Sequence, residues 1–347
     1  MLCQLLMNRS NTSYSLPIEH SCMTSQLLPR FLLVLQLQVA ALGQTAPIKQ
    51  VEQVFGVRRP AVALLQQVSR LSSAVTKRRQ AVALQRPPSS YVRSKDDTLI
   101  TYECQGKGPT LLIVHGGTGD RTRWTPLFPF FRSRFTVCAM DRRGHGDSER
   151  GSNYSLQKEI EDVIAVVNSR SGPVFVLGHS IGGVFALEAA LLTDKISRLV
   201  LYEPPLQDGD HTAVADQMEN MIKSGNRERA LEMFLSDIVK LSPKEIETMK
   251  ARPSWPNRVA SIDIQIREIR ALSKYRFDAV RTSRLKTPTL LLAGANTPSV
   301  QLKQATELLM KTLPDRSLIV FEGEEHNAMD TIPQRFAEEV TKFLLPQ

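Results

Sequence analysis

Histidine is scarce in this chain, with six in 347 residues, so any chemistry that needs an imidazole must draw on very few positions. Cysteine is scarcer still. Cys3, Cys22, Cys104 and Cys138 form neither a C-x-x-C metal pattern nor a dense disulfide framework. Cys104 and Cys138 fall in or beside expected strands, where a free thiol packs as a small hydrophobe. That reading favours a reducing compartment and hence the cytoplasm. No apolar run reaches 18 residues, so no membrane-spanning helix is expected. Acidic residues are nearly absent from the first 95 positions, where twelve Lys or Arg face only Glu19 and Glu52. The remaining 252 residues balance 32 basic against 33 acidic side chains. The net charge of +9 therefore belongs to a tail, and the body has no basic stripe interleaved with aromatics. A nucleic-acid partner is not expected.

What is present divides into two parts. Residues 1–86 read as a basic, poorly ordered extension or targeting segment, and 87–347 as one domain. Within the tail, "FLLVLQLQVAALG" (Phe31–Gly43) follows Arg30 and ends on small residues, as a secretory apolar region does, but it starts thirty residues in. Export, organellar targeting and a plain extension all stay open. The segment "VRRPAVALLQQVSRLSSAVTKRRQAVALQ" has helical spacing and basic ends, which suit peripheral contact with a membrane surface.

Beyond Pro87-Pro88, short apolar runs alternate with helical patterns. Strands are expected at Leu99–Gln105, Thr110–Gly116, Phe135–Asp141, Pro173–Ser180, Ile196–Pro204, Thr287–Gly294 and Arg316–Gly323. The later runs are continuously apolar, as strands buried on both faces should be. Helical spacing marks "SLQKEIEDVIAVVNSR", "IGGVFALEAALLT" and "PQRFAEEVTKFLL". Alternation of this kind predicts a mostly parallel sheet covered on both faces. Residues 206–285 interrupt it with helical patterns alone. Met218, Met221, Met233 and Phe234 there suit either an ordinary packing face or the underside of a lid.

"VFVLGHSIGGVFALEAALL" carries the strongest chemical signal. A strand runs into Gly178-His179-Ser180-Ile181-Gly182 and straight on into a helix, the context that a G-x-S-x-G nucleophile turn requires. The turn is too tight for side chains two positions either side of the serine. It presents the Ser180 hydroxyl at a helix N-terminus, where negative charge is favoured. The bland alternative is a glycine-rich turn that packs a helix closely on a strand.

With "LLIVHGGTGDRTRW", "MDRRGHGDS" and "FEGEEHNAMD" in order around "LGHSIGG", the chain from about residue 90 onward resembles the α/β-hydrolase superfamily. The resemblance implies an eight-stranded, mostly parallel sheet, a nucleophile after strand five and a helical lid after strand six. It also implies an oxyanion hole built from the backbone N–H groups of Gly117 and Ile181, and "DRRGHGDS" as a bracing loop in which Asp141 and Arg143 pair. His115 reads as structural. His326, just past the last strand, takes the position of the general base.

The third catalytic member is the anomaly. In most of the superfamily the acid lies three residues beyond the glycine that ends strand seven, and here that residue is Thr297 in "LLLAGANTP". Some members carry it at the end of strand six instead, where this chain has Glu203 in "RLVLYEPP". A glutamate at an apolar strand end is costly to bury without a partner, and His326 would be one. Asp330, Glu324, Glu325 and Asp141 are weaker candidates, and Glu203 as a lid cap or an arginine's partner is the bland reading. The expectation is thus a serine hydrolase acting on a small to medium carboxylic ester or lactone, with Ser180, His326 and Glu203 as its triad, and with no metal or organic cofactor. A serine nucleophile argues against haloalkane dehalogenase and epoxide hydrolase chemistry, which use aspartate. A C–C bond hydrolase, a cofactor-free perhydrolase and a non-catalytic ligand-binding protein remain alternatives.

Overall fold

A computed structural model describes residues 89–206 and 209–346 of the chain. The basic amphipathic segment, the run Phe31–Gly43 and everything else expected of residues 1–86 lie outside the described residues. Eight strands form one sheet: β1 (Ser90–Arg93), β2 (Leu99–Gly106), β3 (Thr110–Val114), β4 (Thr136–Met140), β5 (Val174–His179), β6 (Ile196–Tyr202), β7 (Thr289–Gly294) and β8 (Arg316–Phe321). Their order is β1-β2-β4-β3-β5-β6-β7-β8. Only the β1–β2 and β2–β4 pairings are antiparallel. From β4 to β8 the sheet is parallel, with the α/β-hydrolase architecture that the motifs implied.

Strand alternation sorts the core onto the two faces. Leu112, Val114, Val176 and Leu201 point to one side, against helices α1 (Leu156–Asn168) and α2 (Ile181–Ala190). Leu111, Ile113, Leu177 and Val200 point to the other, against Trp124, Phe128 and the C-terminal helix. Local signals place the helices. Ser155 caps α1 by accepting a hydrogen bond from Lys158 N, and Glu159 adds an acid to the first turn. Helix α2 starts on the residue after Ser180 and is buried along its whole length, which explains its apolar sequence; its one charged residue, Glu188, is met by Tyr275 and Arg281.

Between β6 and β7 the chain builds a helical layer with its own apolar core: α3 (Thr212–Lys223), α4 (Arg227–Met233), α5 (Pro243–Lys250), α6 (Trp255–Ala260) and α7 (Asp263–Leu272). A π-helical turn, Phe234–Ile238, continues α4. Met218 is buried in this core and Met221 and Met233 pack on it, so the three methionines serve helix packing. The chain closes with α8 (Val300–Thr312) and α9 (Pro333–Leu344).

Four expectations are corrected. Strand β1 escaped notice because its four residues are mostly exposed and contain no apolar run. Strand β8 reads as a two-sided core strand but forms the sheet edge, with Leu318 and Val320 exposed. Cys104 and Cys138 are directly opposite on antiparallel β2 and β4 and are joined as a disulfide, which removes the argument for a reducing compartment. Asp141 pairs with Arg121 rather than Arg143, whose guanidinium lies between Asp162 (2.6 Å) and Asp96 (3.0 Å).

Candidate active site

The carboxyl ends of β5, β6 and β7 come together at a cleft lined by Gly117, Ser180, Ile181 and His326, where ligand sites of parallel sheets lie. Ser180 sits on the turn from β5 into α2 with φ 53° and ψ −130°, a strained conformation for any side-chain-bearing residue. Its N–H donates to the Tyr202 carbonyl (2.9 Å), which extends the β5–β6 ladder past the strand end and holds the turn in place. The flanking glycines are obligatory. A Cβ on Gly182 would lie 2.4 Å from the Val114 carbonyl oxygen, and one on Gly178 would lie 2.6 Å from Gly183 Cα.

Glu203 stands one residue past β6, also in the left-handed region at φ 45°. Its N–H donates to the Leu292 carbonyl of β7 (3.2 Å). Almost completely buried, its carboxylate has three protein partners. Oε2 accepts from His326 Nδ1 at 2.6 Å, and Oε1 accepts from Gly294 N (2.9 Å) and Thr297 Oγ1 (2.7 Å). Thr297, the residue in the family's usual acid position, thus donates a hydrogen bond to the Glu203 carboxylate. With its Nδ1 proton held by Glu203, the His326 ring keeps the Nε2 lone pair free. Ser180 and His326 line the same cleft without a direct hydrogen bond between them. Such contacts are often long before substrate arrives.

The loop that carries His326 is braced from below. Tyr202 Oη donates to the Glu325 carbonyl (2.5 Å) and accepts from Ala328 N (3.0 Å). His179 Nε2 donates to the His326 carbonyl (3.0 Å), and its ring lies 4.7 Å from the His326 ring. Burial, and then the neighbouring His326, push His179 well below the ordinary histidine range, so it is a neutral brace. The competing acids are committed elsewhere. Asp330 holds Arg123 and Arg252, Glu324 accepts from Thr331, and Asp141 holds Arg121. Glu325 accepts from Ser242.

Gly117 and Ile181 both line the cleft near Ser180. As the first residue of α2, Ile181 has an N–H with no intrahelical acceptor. Gly117 does not need positive φ. A Cβ there would meet the Gln265 amide at 2.8 Å and Phe234 at 3.1 Å, so close approach explains the glycine. Next to it, Thr118 takes φ 56°, an outlier for a β-branched residue, and donor Arg258 Nη1 reaches its Oγ1 at 2.7 Å. His115 is structural: Nε2 accepts from Arg142 N (3.1 Å), and burial lowers its basicity well below the usual range. Its neighbour His145, of unknown surroundings on sequence grounds, meets Glu268 at 2.7 Å.

The layer between β6 and β7 roofs the cleft with Phe234, Leu235 and Ile238 from the π turn and with Leu241, Met249 and Ile269. Sequence reasoning missed Tyr202, Trp124, Arg123 and Arg258. Trp124 packs edge-on to His179. Nothing in the sequence distinguishes Arg258, in "SWPNRVAS", from the many surface arginines.

Comparison with known proteins agrees with this architecture. The model of the alpha/beta hydrolase family matches residues 111–339. A 2-(acetamidomethylene)succinate hydrolase of Mesorhizobium japonicum is 23% identical over 255 residues, covering 69% of this chain and 89% of that protein. The crystal structure of an alpha/beta hydrolase from Sphaerobacter thermophilus superposes with a TM-score of 0.66 at 27% identity, over 74% of this chain and 100% of the other. An esterase from Rhodococcus sp. ECU1013 superposes with a TM-score of 0.62 at 21% identity, over 74% and 98%.

Proposed function

We propose that this chain, which belongs to the alpha/beta hydrolase family, is a serine hydrolase of small to medium carboxylic esters or lactones that works through an acyl-enzyme. The observation that carries the reading is the 2.6 Å contact between His326 Nδ1 and the buried Glu203 carboxylate, in the cleft that also holds Ser180. It favours a catalytic over a non-catalytic protein, because it offers His326 an acid although the usual acid position beyond β7 holds Thr297.

In this reading Ser180 Oγ attacks the substrate carbonyl carbon while its proton passes to His326 Nε2. Glu203 orients the ring and stabilises the imidazolium without taking the proton. Negative charge on the carbonyl oxygen is met by the N–H groups of Gly117 and Ile181, each worth on the order of 3 kcal/mol in the barrier. Collapse of the tetrahedral adduct breaks the ester C–O bond, and His326 delivers the proton to the leaving alkoxide. Water then repeats the sequence on the acyl-enzyme, giving up a proton to Nε2, and releases the carboxylic acid and free Ser180.

Three donors face the two oxygens of the buried Glu203 carboxylate, so its hydrogen-bonding needs are met inside the protein. The apolar roof suits an ester with a hydrocarbon portion, and the same helices would act as a lid. A fluorophosphonate probe tests the reading. It should label Ser180 in the folded wild type and leave Ser180→Ala unlabelled. Folded protein that resists the probe would contradict it.

A further inference from the structure

Four arginines of the described chain are almost fully buried: Arg121, Arg142, Arg143 and Arg258. Three of them have carboxylate partners, Asp141 for Arg121, Glu268 for Arg142 and Asp162 for Arg143. Arg258 has none within 4 Å among the described residues. The residue is only 5% exposed, and the one hydrogen bond of its guanidinium goes to the neutral hydroxyl of Thr118. The nearest acids do not serve it. Asp330 is shared by Arg123 (2.8 Å) and Arg252 (2.6 Å), and Asp120 turns its carboxylate to Thr122.

A buried cation without a counter-charge is expensive, and burial is what lowers the Arg258 guanidinium to about 9, with nearby Arg123 adding repulsion. Support of the Thr118 hydroxyl does not explain the expense, since an amide would donate that bond as well. The position of Arg258 offers an explanation. It lines the cleft beside Ser180 and His326, and its hydrogen-bond partner Thr118 is next to Gly117. Arg123 lines the same cleft, but its guanidinium is held by Asp330 and Asn327, which leaves Arg258 as the unmatched charge beside the space a substrate would occupy.

We propose that Arg258 is a specificity-determining residue that binds a carboxylate on the substrate, so that the preferred esters or lactones carry a free carboxylate beside the scissile carbonyl group. The inference rests on the serine-hydrolase reading and narrows its substrate class. One Arg258 donor stays on Thr118 while the rest of the planar fork meets the carboxylate, an arrangement a lysine reproduces poorly. Substrate supplies the charge that the protein withholds. Without a carboxylate beside it Arg258 is an unmatched cation, which disfavours neutral ligands that would seal it from water.

The test compares monomethyl succinate with methyl 4-methylpentanoate, a neutral ester of nearly the same shape, by titrating released acid. Wild-type enzyme should prefer the anionic ester in kcat/KM. Arg258→Gln should reduce that preference by about 10- to 100-fold, the size of one charge-assisted contact, chiefly through KM. Arg258→Lys should recover part of it. Succinate should raise the melting temperature of Ser180→Ala, and this shift should vanish in Ser180→Ala/Arg258→Gln. The proposal is overturned if wild type shows no preference for the anionic ester, or if Arg258→Gln lowers turnover of both esters equally. Labelling of Ser180 by fluorophosphonate in the same preparations separates the two claims. A labelled enzyme indifferent to the carboxylate refutes the Arg258 subsite alone, whereas an unlabelled protein still stabilised by succinate keeps the subsite and loses the hydrolase reading.

Discussion

The turn after β6 and the turn after β7 are adjacent in the sheet and reach the same cleft, yet they carry opposite chemistry. After β7 the chain offers Thr297, a neutral donor, and after β6 it offers Glu203, a buried acid in a strained backbone conformation. The two are bonded to each other through Oγ1 and Oε1. In the proposed triad the imidazole of His326 needs a carboxylate at its Nδ1, and parallel neighbouring strands can each deliver one there. The strand that does not supply the acid supplies one of its hydrogen-bond donors instead. Position in the fold thus constrains where charge must lie more tightly than it constrains which residue provides it.

The comparison can be broken most severely at Ser180, the proposed nucleophile that both turns would serve. Ser180→Ala should reduce ester turnover to the background of the assay, a loss of about 10⁶-fold in systems of this kind, with an unchanged melting temperature. Next in size is the acid. Glu203→Gln removes the charge but keeps the shape, and kcat should fall by about 10³–10⁴-fold. If Glu203→Gln retains near-normal turnover while Asp330→Asn or Asp141→Asn loses it, the assignment to β6 is wrong. The β7 side should matter much less. Thr297→Val leaves Glu203 Oε1 with Gly294 N as its remaining donor and should lower kcat about tenfold, the effect of one hydrogen bond to a charged group. Equal losses at Glu203 and Thr297 would mean that the two positions do not divide the work as described.

The smallest expected effect concerns the helical layer against the sheet. Glu245 of α5 donates nothing to the chemistry but accepts from Asn327, next to His326, and lies beside Glu325. Burial, reinforced by Glu325, raises Glu245 to about 8 from an ordinary value of 4.5. The folded state therefore holds a proton that the unfolded chain releases, and stability should decline as pH rises from about 4.5 to about 8. Glu245→Gln, which mimics the protonated acid, should make that decline shallower by on the order of 1 kcal/mol across the interval, measured by urea unfolding at several pH values. An unaltered slope would mean that Glu245 titrates normally.

Much of this arrangement is legible in the sequence because it depends on local rules. The nucleophile turn is a strand, two obligatory glycines and a helix in immediate succession. Glu203 announces itself as an acid at the end of an apolar strand, where burial demands a partner. Other features depend on which strands become neighbours. Cys104 and Cys138 look like isolated core residues until β2 and β4 are paired across the β1-β2-β4-β3 order. Strand β8 looks like β7 in composition and differs only in having no strand beyond it. Arg121 reaches Asp141 and Arg258 reaches Thr118 across gaps in sequence that no periodicity encodes.

The contact between Glu203 and His326 can be observed directly by proton NMR on protein carrying ¹⁵N-labelled histidine. A histidine proton bound to Nδ1 and held by a buried carboxylate resonates far downfield and exchanges slowly. Wild type should show such a proton on Nδ1, distinguished from the Nε2 proton that His145 shares with Glu268 and assigned to His326 by its loss in His326→Ala. It should persist in Thr297→Val and disappear or move strongly upfield in Glu203→Gln. A His326 Nδ1 proton that stays far downfield in Glu203→Gln would show that another group holds the ring, and would contradict the transfer of the acid from β7 to β6.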